Sequence, residues 1–334
     1  MLQRLPAPRF PLLPEVLAAE TADVYFIRTR QVLEHLARDP EVGMVVFPGD
    51  DGLCCGVTQV AQLIKEAGFE GEFWSVDEGT PLARGEDAIH LRGRYSSFGV
   101  YETALLGMLA SCTAWATAAG QVVKAAQGVP VVSFGARHIH PNVAGIMDYA
   151  ATVGGCIGCS TTLGAALSGT VASGTMPHSY VLIVGDTVEA ARAFDSVLPS
   201  DIPRVVLVDT FQDEAVESLQ VAQALGNALQ GVRLDTPAER GGVTPALVRE
   251  VRARLDQAGY SRVQIAVSGG MSPERIAVFQ REDAPVDSYG VGSFISGARP
   301  IDYTADIREI DGEPVAKRGR IPGMRPNPAL RRRL

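Results

Sequence analysis

The chain has 334 residues, 46% of them apolar, with 35 Gly and a formal net charge of −8. That length suits two domains, or a barrel with an appendage, and the apolar content is ample for a large core. The acidic balance argues against nucleic acid as a partner of the bulk surface, and no run of about 18 or more uncharged apolar residues points to a membrane span.

The opening stretch, MLQRLPAPRFPLLP, is Pro-rich and lacks the apolar segment and small-residue cleavage site of a signal peptide. The five cysteines are Cys54, Cys55, Cys112, Cys156 and Cys159. Their odd number and scatter predict reduced thiols and a cytoplasmic location. Cys156-x-x-Cys159 alone lacks the further ligands that zinc requires. These two read as small buried residues at a strand or helix junction.

Along the chain, TADVYFIRTRQVLEHLARD (21–39) predicts a helix capped by Thr21, with Val24, Ile27, Val32 and Leu36 loosely helix-spaced. GMVVFPG predicts a short strand, and VTQVAQLIKEAGF an amphipathic helix ending at Gly68. EFWSVDEGTPLARGEDAIHLRG reads as strands with Gly and Pro turns. A long helix of small residues, about 101 to 126, then leads into GVPVV.

From there apolar runs alternate with helix-like segments such as ALVREVRARLDQAG (246–259). The expected strands are VPVVS, TVASGT, YVLIVG, RVVLVD, GVRLD, VQIAVSG and DSYGVGS. Near-continuous Val, Leu and Ile strands between helices indicate a parallel sheet covered on both faces. Seven such units suggest a barrel or partial barrel. The tail changes character: YTADIREIDGEPVAKRG predicts a hairpin turning at Asp311-Gly312 and returning to the N-terminal part. The closing NPALRRRL reads as a solvated end.

In such a barrel, chemistry sits at the C-terminal ends of the strands. SFGARHIHP follows the first strand and places Arg137, His138 and His140 within four residues, although the chain has only 5 His. His178 follows in MPHS. Asp209, Arg233 and Asp235 come at later strand ends, then Ser268-Gly269-Gly270 and Gly290-Val291-Gly292. The glycine loops suit a phosphate, since bare backbone N–H groups and a following helix N-terminus favour an anion; the alternative is that Gly merely makes tight turns. The aspartates suit ribose hydroxyls or Mg²⁺, or they cap helices. The His and Arg cluster points to a small anionic ligand. His138-x-His140 fits only half a zinc site. These residues together predict a barrel enzyme acting on a phosphorylated sugar and a second, anionic partner.

SFGARHIHP, GTMPHS, LVDT, VRLDTPAERGG, VSGGM and YGVGS, with TADVYF early and KRGRIPG late, resemble the nicotinate phosphoribosyltransferases over nearly the whole chain. The resemblance implies an α/β fold with two parts. One is an N-terminal open-faced α/β sandwich (1–108) completed by the C-terminal segment (299–334). The other is an irregular seven-stranded α/β barrel (109–298). It implies a homodimer or larger homo-oligomer with shared active sites. It also implies formation of nicotinate mononucleotide and pyrophosphate from nicotinate and phosphoribosyl pyrophosphate (PRPP), with ATP as co-substrate and Mg²⁺ carried by the substrates. By resemblance, His178 would take the phosphoryl group during ATP coupling and act with Arg137, Asp209 and Asp235. Tyr25 would stack on the pyridine ring, and Arg137 would meet a carboxylate or the pyrophosphate. His138 and His140 would line the same cationic mouth. Arg233 and Asp235 would hold the phosphoribosyl group. Ser268, Gly269, Gly270, Gly290 and Gly292 would cradle the 5′-phosphate.

Two departures from the family pattern stand out. Ile157 occupies a place where relatives often carry Asp, and there is no Cys-rich extension, so no structural zinc is expected. Quinolinate and nicotinamide phosphoribosyltransferases are rival readings, as is a non-catalytic nucleotide-binding relative. A Schiff-base aldolase or synthase would need a Lys at a strand end. Lys65, Lys124 and Lys317 are not so placed.

Overall fold

The structure, a computed structural model, describes residues 8–334. Two sheets organise it. The first is antiparallel, in the order Glu313–Pro314, Tyr303–Ile310, Glu41–Pro48, Ile89–Arg94, Gly71–Ser75, Arg331–Arg332. Strand alternation sends Val42, Met44, Val46, Phe73, Ile89 and Leu91 to one face, where they meet Val60 and Ile64 of the helix Val57–Glu66. That helix stops where expected, with Gly68 in the left-handed region at φ +83.

The predicted hairpin is present. Asp311 (φ +50) and Gly312 (φ +82) form its turn, and Tyr303–Ile310 pairs antiparallel with Glu41–Pro48. The last residues are not a free end. Arg331–Arg332 extends the sheet beside Gly71–Ser75, and Arg333 reaches Asp77 at 2.5 Å. Edge pairing leaves these arginine heads with acidic partners, which the bare run of three Arg does not disclose.

The second sheet is a curled parallel half-barrel in the order Gly158–Cys159, Val131–Ser133, Ser288–Val291, Gln264–Val267, Gly231–Leu234, Val205–Leu207. It has six strands, and two of the seven expected are absent. TVASGT is irregular, having too few apolar groups to hold a strand between two covered faces. YVLIVG lies in the helix His178–Val184, begun after Pro177 and closed by left-handed Gly185 (φ +90). A short apolar run fits strand or helix equally by periodicity; here Pro177 and Gly185 bound a helix of which only Val181 is buried. Gly158–Cys159 supplies an edge strand that its small residues did not advertise.

The helix Glu102–Ala125 joins the two cores. Leu105 and Leu109 pack in the first, Trp115, Ala119 and Val122 in the second. With the preceding turns it is long and apolar enough to cross a membrane by length and composition. Its small residues instead allow close approach on several sides: a Cβ on Gly154 would fall 2.3 Å from the Ala116 carbonyl.

The N-terminal helix differs from expectation. It spans Val24–His35, Thr21 does not cap it, and Asp23 is tied instead to Thr103 by bonds of 3.0 Å. Its apolar stripe is not core: only Phe26 is buried, and Val24, Val32 and Leu36 lie exposed.

Candidate active site

The carboxyl ends of the parallel strands open onto a cavity of about 410 Å³. The strand Gln264–Val267 feeds Ser268, Gly269 and Gly270 into its wall. Both glycines are left-handed, at φ +87 and +61, where a side chain would be strained. Arg275, on the helix Pro273–Arg281, donates Nη1 to the carbonyls of Gly269 (2.6 Å) and Gly270 (3.1 Å) and Nη2 to that of Val243 (3.1 Å). In a trans peptide the N–H opposes the C=O, so the next N–H groups point away from the guanidinium. The turn therefore presents donors and stands beside a fixed positive charge, which suits an anion. Gly290 and Gly292 of the neighbouring strand end complete this wall; a Cβ on Gly290 would meet the Phe134 ring at 2.3 Å.

A buried chain of polar groups lies beside it. The Asp209 side chain has no exposed surface; Oδ1 pairs with His178 Nε2 at 3.1 Å, and Oδ2 accepts the Asp235 N–H at 3.1 Å. Asp235 Oδ1 in turn accepts the Ser268 hydroxyl at 2.9 Å. Burial raises the Asp209 carboxyl above its ordinary value; His178 opposes that shift and Asp235 adds to it. Asp235 lines the cavity and Asp209 does not. Asp209 is thus a positioning group for its two neighbours rather than a group that meets a ligand.

Cations line the same cavity. Arg233 donates Nη1 to Thr175 Oγ1 at 2.6 Å and lies 5.9 Å from the centre of the Phe134 ring. Burial lowers its pKa, while Asp235 and Asp209 act in the opposite sense. Arg137 and His138 sit in the single turn Ala136–His138 that follows Val131–Ser133. Among the described residues Arg137 donates to no protein group, so its guanidinium is available to a ligand.

The structure brings together Arg137, His138, Arg233, Asp235, Ser268, Gly269, Gly270, Gly290 and Gly292 at the cavity wall. His178 stands next to it, 38% exposed and held by Asp209. His140 is elsewhere engaged: its Nδ1 accepts the Asn142 N–H at 3.3 Å as the cap of Pro141–Val153. Tyr25 does not line the cavity; it is 57% exposed on the N-terminal helix. Ile157 is 63% exposed and also lies off the cavity wall. Cys156 and Cys159 are held as thiols by burial, pushed up to about 12 and about 11. Among the described residues no three His, Cys, Asp or Glu gather as a metal site.

Two supports, one half-buried and one buried, escape a reading of the sequence. One is Arg275. The other is Glu217, whose carboxylate gathers the N–H groups of Thr210 (3.3 Å), Phe211 (2.8 Å) and Gln212 (2.9 Å) behind Asp209. Each sits on the helix that directly follows the loop it serves, five to seven residues on, and only the fold of that loop reveals the contact.

The family model for the quinolinate phosphoribosyl transferase C-terminal domain matches residues 115–306, and that for its N-terminal domain matches residues 23–113. Nicotinate phosphoribosyltransferase pncB2 of Mycobacterium tuberculosis is 34% identical over 230 residues, 67% of this chain and 48% of that protein. The pncB1 enzyme of the same organism is 32% identical over 264 residues, 76% of this chain and 57% of its own. The chain thus spans about half the length of the curated relatives it matches. The crystal structure of nicotinate-nucleotide pyrophosphorylase from Pyrococcus furiosus superposes with a TM-score of 0.85 at 43% identity, covering 95% of this chain and 82% of that one. Human nicotinic acid phosphoribosyltransferase shares the fold, with a TM-score of 0.75 at 18% identity over 90% of this chain and 77% of its own.

Proposed function

Since this chain belongs to the quinolinate phosphoribosyltransferase family, matched by both of its domain models, we propose that it transfers a phosphoribosyl group from PRPP to nicotinate, giving nicotinate mononucleotide and pyrophosphate. The observation that carries this reading is one cavity lined both by glycine strand ends and by a guanidinium, that of Arg137, which pairs with no protein group among the described residues. The glycine wall suits the 5′-phosphate. Asp235 suits the ribose hydroxyls, and any Mg²⁺ that arrives with the pyrophosphate would find its carboxylate closest to hand. The reaction develops oxocarbenium character at the ribose C1 and negative charge on the leaving group. Positioning and fixed charge then supply most of the catalysis.

Among the described residues Arg137 offers its whole fork to a ligand carboxylate, while Arg233 is held through Nη1 by Thr175 and keeps a buried Nε without a partner. The choice of nicotinate rests on the named relatives, and the family match makes quinolinate the second reading. Tyr25, exposed and away from this cavity, is free to serve the site of a second copy in a homodimer. Coupling to ATP would run through His178, whose Nε2 is oriented by Asp209.

The deciding experiment supplies purified protein with PRPP, Mg²⁺ and, in turn, nicotinate, quinolinate or nicotinamide, with and without ATP. Mononucleotide from nicotinate alone, stimulated by ATP, supports the proposal. Product from quinolinate with release of carbon dioxide moves the assignment to the second reading, and PRPP binding without product from any base moves it to a non-catalytic relative. Two substitutions extend the test. Arg137→Ala should raise the KM for nicotinate roughly 10- to 100-fold, the worth of a charge-assisted hydrogen bond; unchanged KM values for both substrates would remove it from the site. His178→Ala should abolish the ATP-stimulated fraction of turnover and leave slow ATP-independent synthesis. An unaltered ratio of ATP hydrolysed to product formed would refute that role.

A further inference from the structure

Asp148 is an ionisable residue that the proposed reaction does not use, yet it has no exposed surface at all. It lies in the helix Pro141–Val153, and its carboxyl faces two cavity-bearing segments at once. Oδ1 accepts the Ser133 hydroxyl at 2.8 Å, at the end of the strand that delivers Arg137 and His138. Oδ2 accepts the Thr161 N–H at 2.9 Å, with the Ser160 hydroxyl 3.5 Å away. Ser160 lines the same cavity as Arg137. The helix Thr162–Ser168 is pressed onto this carboxyl: a Cβ on Gly164 would fall 2.4 Å from Asp148 Cβ.

A buried carboxyl satisfied by two donors from different segments is a cross-link, since leaving either donor unmade exposes the cost of its desolvation. The strand pair it spans, Val132 to Gly158 and Ser133 to Cys159, is the short edge of the half-barrel. So few ladder bonds fix the spacing poorly without it. The phosphate-side glycines hang from Gln264–Val267 and Ser288–Val291 and receive no bond from Asp148.

We infer that Asp148 is a positioning residue for the acceptor base, tying the loop that carries Ser160 to the strand end that carries Arg137. This inference rests on the phosphoribosyl-transfer reading for its kinetic consequence, though not for its structural one. Asp148→Asn can still accept the Thr161 N–H, and its amide can donate to Ser133 once that hydroxyl reverses role. Asp148→Ala can do neither.

The test uses the full chain and reads kinetics and amide exchange together. Asp148→Ala should lower kcat/KM for the base roughly 10- to 100-fold, chiefly through KM, consistent with an unmade buried hydrogen bond. The KM for PRPP should stay within about twofold of wild type, because the phosphate wall is anchored elsewhere. Asp148→Asn should restore most of the loss. Ser133→Ala, a milder change that keeps the Thr161 bond, should give a loss of about three- to tenfold in the same parameter; it serves as the kinetic test should Asp148→Ala not fold. Hydrogen exchange should speed up at residues 159–162 in Asp148→Ala and stay near wild type in Asp148→Asn. Equal losses in the Ala and Asn variants, or an effect confined to PRPP, overturns the inference. If wild type makes no mononucleotide, the reaction proposal fails by itself, and the exchange measurement still decides whether Asp148 ties the two segments.

Discussion

Asp209→Ala is expected to reduce turnover roughly 10- to 100-fold while costing about 1–3 kcal/mol of stability, because it removes two hydrogen bonds to a charged group and orphans a buried N–H. The His178 ring would lose its orienting partner at 3.1 Å and the Asp235 backbone its acceptor at 3.1 Å. Asp235 would then drift relative to Ser268, to which it is bonded at 2.9 Å. Asp209→Asn separates the two losses. It keeps an acceptor for Asp235 and so most of the stability, but it cannot hold a protonated His178. Burial raises the Asp209 pKa, so in wild type any activity that needs its charge is present above that raised value. It is lost as pH falls through it. The acidic limb of the wild-type rate profile should therefore lie above the usual carboxylate range and disappear in Asp209→Asn. Steady-state kinetics across pH with a thermal unfolding curve checks all of this; a wild-type profile in Asp209→Asn would sink the assignment.

Gly290→Ala is the second change expected to have a large effect. The new Cβ would lie 2.3 Å from Phe134 Cε2 and 2.5 Å from Cδ2, well inside contact distance. The ring has to move, and Arg233 lies over it at 5.9 Å. Gly290 cannot retreat, since it is paired with Val132 inside the parallel sheet. Overpacking of this kind typically costs about 1–3 kcal/mol. Displacement of Arg233 should lower kcat/KM for PRPP roughly 10- to 100-fold. Gly292→Ala offers a comparison at the same strand end, where the added Cβ would approach the Phe134 carbonyl at 3.0 Å and His138 Nε2 at 3.2 Å. Its effect should fall more on His138 and less on Arg233. An unchanged melting temperature together with unchanged PRPP kinetics in Gly290→Ala would show that the wall tolerates a methyl group and that the packing argument is wrong.

The alternation of strands and helices, the returning hairpin and most of the cavity wall are legible from residue order alone. The reason is that these features are local. A glycine pair in the left-handed region, a turn at Asp311-Gly312 and an Arg-His pair one turn past a strand each announce themselves within a few residues. Tertiary structure decided the rest. YVLIVG reads equally as strand or helix until its neighbours cover only Val181 and leave Ile183 exposed. The three terminal arginines look like a solvated end until Gly71–Ser75 offers an open edge. His140 stands three residues from Arg137 in the sequence, yet its Nδ1 caps the helix beginning at Pro141 and the residue lies off the cavity wall. Asp148 carries no recognisable motif, because it joins the Ser133 hydroxyl and the Thr161 backbone, each more than ten residues away. Which loop a buried charge will satisfy depends on how helices pack over a half-barrel, and that is a property of the assembled chain.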